Sequence, residues 1–190
     1  MKNKNILKVF SKVKREDFVP GRLRRRAYED TALPLGEGQT ISQPYTIAMM
    51  LSLLNPKKDQ KVLEIGSGCG YASALISELV GKKGKVFGIE IIPELAEKSK
   101  AILKKYSNVK IYNRNGNLGL KEEKLFDRIF ISARTKEVPN QLILQLKEKG
   151  LIVAPIGGNY EQSLTVFGKE KTGLKALKKI HGFVFVPLVA

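Results

Sequence analysis

The sequence predicts an α/β protein built on a doubly wound, mostly parallel sheet with an antiparallel hairpin at its C-terminal edge. Three observations predict it. From Lys61 onward, short β-branched runs alternate with helical periodicity, a pattern that calls for a parallel sheet covered by helices on both faces. A glycine-rich turn, Gly66-Ser67-Gly68-Cys69-Gly70, follows the first of those runs. The end of the chain carries two strand-like runs with no helix between them, which indicates an antiparallel closure.

Taken in order, residues 4–15 space Ile6, Val9, Phe10 and Val13 at helical intervals, and Pro20 interrupts. Residues 30–44 thread apolar side chains among Pro34, Gly36, Gly38 and Pro44, the pattern of an ordered loop rather than a linker. Thr46 to Leu54 reads as a helix stopped by Asn55-Pro56. Val62–Ile65 is a strand, 71–80 a helix and Lys85–Ile89 a strand. Pro93 opens a helix to about Tyr106, with Leu95, Ser99, Ile102 and Tyr106 on one face. Strands 109–112 and 126–131, helix 139–147 and strand 151–156 complete the alternation. Ser163–Phe167 and Ile180–Val186 flank a Lys/Gly-rich stretch, 168–175, expected to be the hairpin turn.

Length and composition set bounds. With 190 residues and 43% apolar content, the chain is expected to form one domain, 1–190, with residues 1–60 packed on a 61–190 core. No stretch approaches the ~20 apolar residues of a membrane span, and lysines break Ile6-Leu7-Lys8-Val9-Phe10 too early for a secretory segment. One cysteine, Cys69, excludes an internal disulfide and a cysteine zinc cluster; a cytoplasmic location is expected. No metal site is expected. The net charge of +16 is spread along the chain, about +6 over 1–60, +6 over 61–167 and +4 over 168–190, which suits solvated faces and attraction of acidic substrates.

The glycine turn carries the chemistry. Glycines let a backbone approach a ligand where a Cβ would clash, and the helix from Tyr71 adds N–H groups and the positive end of its dipole. Glu90, 24 positions after Gly66, stands where a carboxylate accepts from ribose hydroxyls. A dinucleotide or S-adenosylmethionine fits this much. Tyr71 occupies the last glycine position of the dinucleotide fingerprint, and Glu64 precedes the first glycine. An acid there suits a cationic sulfonium ligand better than a pyrophosphate.

Outward from the loop, the chain resembles the protein-L-isoaspartate O-methyltransferase family over nearly its whole length. The most specific stretch is Ala27-Tyr28-Glu29-Asp30-Thr31-Ala32-Leu33-Pro34-Leu35-Gly36-Glu37-Gly38-Gln39-Thr40-Ile41-Ser42-Gln43-Pro44-Tyr45, preceded by Phe18-Val19-Pro20. Val62–Tyr71, Ile89–Leu95, Phe126–Ile129, Val138-Pro139, Pro155–Gly157 and Phe185–Leu188 follow the same family. The resemblance implies a Rossmann-like methyltransferase fold and S-adenosylmethionine as cofactor, with S-adenosylhomocysteine as product. It implies esterification of the α-carboxylate of L-isoaspartyl residues in damaged proteins and peptides, which then close to a succinimide.

The same resemblance distributes the roles. Gln39, Thr40, Ile41 and Ser42 are expected over the cofactor, with Ser42 as the active-site serine facing substrate. Glu64, Gly66, Gly68 and Gly70 are expected around the cofactor, with Glu90 and Ile91 at its ribose and Asn115 and Gly116 at adenine. Val186 and Leu188 are expected to clamp an extended peptide. Asn115 stands where the family has an aspartate, and Arg134 where it has a small residue. A carboxylate acceptor of pKa ~4 is already ionised, so no general base is expected. The sole histidine, His181, is expected to be structural. A monomer without membrane contact is expected. RNA ribose methylation and a non-catalytic relative are the competing readings, and salt-dependent RNA binding would mark the first.

Overall fold

The computed structural model describes residues 4–189; Met1-Lys2-Asn3, at the head of the N-terminal reading, and Ala190 lie outside them. The N-terminal part comprises helix α1 (Lys4–Lys12), two 3₁₀ turns (Arg15–Phe18 and Gly21–Arg26), strands β1 (Leu33–Gly36) and β2 (Gln39–Ile41), and helix α2 (Pro44–Leu54). The remainder runs β3 (Lys61–Ile65), α3 (Tyr71–Val80), β4 (Lys85–Glu90), α4 (Pro93–Leu103), β5 (Val109–Asn113), β6 (Phe126–Ile131), α5 (Asn140–Gln145), β7 (Leu146–Gly157), β8 (Gln162–Glu170) and β9 (Gly173–Phe183). Strands β3 to β9 form one sheet in the order β5-β4-β3-β6-β7-β8-β9. The first five are parallel and β8 and β9 antiparallel. The direction of winding reverses between β3 and β6, so a crevice opens beyond their C-terminal ends.

Alternation along the strands sorts the core into two layers. Val62, Val86, Phe130 and Val153 pack with Ile6, Val9, Leu51, Leu54 and Leu75 of α1, α2 and α3 and with Val13 just after α1. Their neighbours Leu63, Ile65, Phe87, Ile129 and Ile152 face the other way, onto Leu120, Val138 and Leu142. No helix among the described residues is long and apolar enough to cross a membrane.

Several boundaries differ from the sequence reading. Residues 30–44 hold a hairpin, β1–β2, turned at Glu37-Gly38, both with left-handed φ. Helix α5 spans Asn140–Gln145 rather than 139–147, because the chain enters β7 at Leu146. The C-terminal hairpin is present as expected, and the largest shift of bounds is in its turn. Its turn falls at 171–172, between paired Glu170 and Gly173, and 173–183 are strand. Lys175, Lys178 and Lys179 are exposed on β9, the edge strand. Lysine on a sheet edge keeps other chains from adding to it, so a Lys-rich run there is strand rather than turn. Residues 184–186 leave the sheet altogether, and Phe185 is held through its N–H by the Gln162 Oε1, 2.6 Å away.

Candidate active site

The glycine turn leaves β3 with φ of 73° at Gly66, 53° at Gly68 and 83° at Gly70, conformations that favour glycine. The N–H groups of Gly66 and Ser67 donate to the Ile89 carbonyl at 2.9 and 3.0 Å. Glu90 spans the crevice. Its Oε2 accepts from the Gly68 N–H at 2.7 Å and its Oε1 from the Ile92 N–H at 3.0 Å. Each oxygen keeps a further lone pair for a ligand hydroxyl.

Glu64 is 1% exposed and accepts hydrogen bonds from the hydroxyls of Ser73 and Ser132, the latter at 3.1 Å. No cation pairs with it among the described residues. Burial pushes its pKa up to about 8, and the Glu90 carboxylate adds to the rise against the lowering by the serines. Beside it the Ser67 hydroxyl is buried without a protein partner. A cavity lined by Glu64, Ser67 and Glu90 therefore brings together two carboxyl groups and an unused hydroxyl. A ligand carrying a cation and hydroxyls satisfies that donor and acceptor set.

The β1–β2 hairpin roofs this cavity with Gln39, Thr40, Ile41 and Ser42. Ile91 and Gly116 line it too, and a Cβ at Gly116 would stand 2.6 Å from Ile65 Cγ2. Val186 and Leu188 close the opposite wall. A second cavity, flanked by Tyr45 and the chain from Ile180 to Val186, shares Thr40, Ser42, Ser132 and Val186 with the first. Those four residues mark the junction where a group in one cavity can meet a group in the other. The Ser42 hydroxyl at this junction has no hydrogen-bond partner among the described residues.

Gly70 and Asn115, expected at the cofactor, lie outside the lining of the first cavity. A Cβ at Gly70 would lie 2.5 Å from Leu103 Cδ1, so this glycine serves the packing of α3 on α4. Asn115 sits just outside the lining, its Oδ1 accepting from the Asn117 N–H at 2.8 Å to cap a 3₁₀ turn. Arg134 lines neither cavity. It acts through its backbone, whose N–H donates to the Val186 carbonyl at 2.8 Å and whose carbonyl accepts from the Leu188 N–H at 2.9 Å. Those groups of Val186 and Leu188 are therefore committed, and a peptide must use the other faces of this segment. His181 is exposed, with Nδ1 3.0 Å from the Ser163 hydroxyl. Ser132 and Ser67 were not singled out by motif. Position offers the signal: Ser132 follows β6 and Ser67 follows β3, the strands flanking the reversal. Among the described residues no group of three metal-ligating side chains converges.

The model of the protein-L-isoaspartate(D-aspartate) O-methyltransferase family matches residues 1–190. The chain belongs to this family. A protein-L-isoaspartate O-methyltransferase of Methanococcus aeolicus is 45% identical over 191 residues, covering all of this chain and 88% of the relative. Protein-L-isoaspartate O-methyltransferase 2 of Archaeoglobus fulgidus is 43% identical over 98% of this chain and 85% of its own length. Among solved structures, a family member of Plasmodium falciparum in complex with S-adenosyl-L-homocysteine superposes with a TM-score of 0.87. It is 26% identical and covers all of this chain and 92% of its own. Another protein-L-isoaspartate O-methyltransferase gives 0.90 at 30% identity, over 99% of this chain and 62% of that one. The methyltransferase fold is thus established, with its parallel core and antiparallel C-terminal strands.

Proposed function

We propose that this protein transfers a methyl group from S-adenosylmethionine to the α-carboxylate of L-isoaspartyl residues in proteins and peptides, which sets up their repair through a succinimide. The observation that carries the reading is the junction of the two cavities, where an unpartnered Ser42 hydroxyl stands between the glycine turn and the groove along 180–186. The cofactor, when bound, supplies a methyl on a positively charged sulfur, with a good leaving group already in place. The rest falls to the chain.

Glu64 provides a buried counter-charge for the cationic ligand, and Glu90 accepts from ribose hydroxyls while it ties Gly68 to Ile92. Thr40 and Ile41 cover the ligand from water. The Ser42 hydroxyl would donate to one oxygen of the acceptor carboxylate and leave the other free to form the O–CH3 bond as the S–CH3 bond breaks and S-adenosylhomocysteine leaves. No proton has to be removed from an ionised carboxylate, so the transfer needs no general base. We assign Val186 and Leu188 to the wall against which an extended peptide lies. The 190 residues act as one unit, 1–60 laid on 61–190, as a monomer in the cytoplasm, where Cys69 stays reduced and buried.

The test is a methylation assay that compares an isoaspartyl peptide, its aspartyl twin and a structured RNA. Transfer to the isoaspartyl peptide alone is expected. Transfer to RNA, or to both peptides equally, would overturn the assignment.

A further inference from the structure

We propose that Arg15 is a positioning residue of the transfer site, a staple that fixes where Ser42 stands relative to the glycine turn; the catalytic part of this inference rests on the function proposed above. Arg15 opens the first 3₁₀ turn and is 1% exposed, although it carries a guanidinium. Its Nη1 donates to the carbonyl of Ser42 at 2.9 Å and its Nη2 to the carbonyl of Thr31 at 3.4 Å. Thr31 precedes β1 and Ser42 follows β2, so one planar group holds both legs of the hairpin that roofs the cavity. The guanidinium carbon also lies 5.4 Å from the centre of the Tyr71 ring. Tyr71 is the first residue of α3, directly after the glycine turn.

Arg15 thus joins the acceptor side of the site to the cofactor side. A buried cation is costly to keep, and no carboxylate pairs with this one among the described residues. Its compensation comes from two carbonyls and an aromatic face, while its Nε has no hydrogen-bond partner among the described residues. Only a rigid fork satisfies all three at once, and a lysine ammonium does not. The contact is to the Ser42 main chain, so its effect on chemistry passes through the placement of the Ser42 hydroxyl rather than through touching substrate.

The experiment is a double-mutant cycle with Arg15→Lys and Ser42→Ala, assayed on an isoaspartyl peptide below the melting temperature of each variant. Hydrogen exchange of residues 31–42 in the unliganded protein accompanies it. Arg15→Lys is expected to lower kcat about thirtyfold or more, since a displacement of about 1 Å carries effects of that order. Affinity for S-adenosylhomocysteine should stay within about threefold, and exchange in 31–42 should accelerate about tenfold with β3 and β6 unchanged. In the Ser42→Ala background the same change should cost less than about threefold, because the group being placed is already gone. Additive losses, or unchanged exchange of the hairpin, would overturn the proposal. Should Arg15→Lys not fold, Arg15→Ala supplemented with guanidinium ions decides: recovery of kcat supports the staple, and a folded but unrescued variant refutes it. Failure of both variants to fold would make Arg15 purely architectural and overturn it as well. A wild-type protein inactive on the isoaspartyl peptide would refute the functional reading instead, and hairpin exchange would still report on the staple.

Discussion

Glu64 supplies the sharpest physical test of the site, and the measurement requires no substrate. The carboxyl is buried between two serine hydroxyls, and its pKa stands at about 8 against an ordinary 4.5. In the unfolded chain it ionises near 4.5, whereas in the folded, unliganded protein it keeps its proton to about 8. Between these values the folded state binds more protons than the unfolded state, so stability falls as pH rises and levels off above about 8. One fully titrating group gives about 1.4 kcal/mol per pH unit, so roughly 3 kcal/mol should be lost between about pH 5.5 and 7.5. Glu64→Gln preserves shape and hydrogen bonding to Ser73 and Ser132 and removes only the titration. Urea unfolding of both proteins across this range should therefore give curves that diverge, with the variant gaining on the wild type as pH rises. Parallel curves, or a wild type that gains on the variant, would refute the assignment of a neutral buried acid. A cationic ligand seated against Glu64 would lower its pKa and flatten the slope, so repeating the titration with S-adenosylhomocysteine tests its role as counter-charge.

Ser42→Ala should lower kcat about tenfold or more with a melting temperature within about 2 °C of wild type, because the hydroxyl has no protein partner to lose. At saturating cofactor, kcat of the wild type should be nearly flat from about pH 6 to 8; a slope of one in that range would require a catalytic base. Gly70→Ala places a Cβ 2.5 Å from Leu103 Cδ1 at a φ of 83°. It should destabilise the protein by about 2–4 kcal/mol, or roughly 5–15 °C in a thermal melt, and an unchanged melt would contradict the packing role. Gln162→Leu strips the Phe185 N–H of its acceptor. It should cost about 1–3 kcal/mol and raise KM for peptide while leaving S-adenosylhomocysteine binding unchanged in a titration.

Sequence patterns revealed the parallel core because its signals are local. The boundaries of α3 and β6 follow from apolar runs between glycines and polar turns, and Glu90 follows from its distance to Gly66. What sequence spacing missed are features whose cause lies far along the chain. The Lys/Gly-rich stretch 168–175 looks like a turn throughout until β8 and β9 pair, when only 171–172 turn and Lys175 joins the exposed lysines of an edge strand. Gly70 looks like a ligand glycine, and its constraint comes from Leu103, more than thirty residues away. Arg15 is part of a charged run, Lys14-Arg15-Glu16-Asp17, and nothing local marks it as the buried member.

Four of the buried polar side chains share a task. Glu90 ties the glycine turn to Ile92, and Arg15 ties both legs of the hairpin together. Gln145 bonds the Leu118 carbonyl and the Leu120 N–H, and Gln162 bonds the Gly158 carbonyl and the Phe185 N–H. Each satisfies main-chain groups of a connecting segment, and Glu90, Arg15 and Gln162 thereby hold segments that line the two cavities. That is the work an enzyme must do when the acceptor arrives ionised and the leaving group is already positive: proton transfer contributes nothing, and alignment in a dry pocket carries the rate. Substitutions of these tethers should accordingly depress kcat beyond their effect on folding, even where they never touch a ligand. A cavity-lining aliphatic such as Met50, replaced by leucine at similar volume, should do so far less.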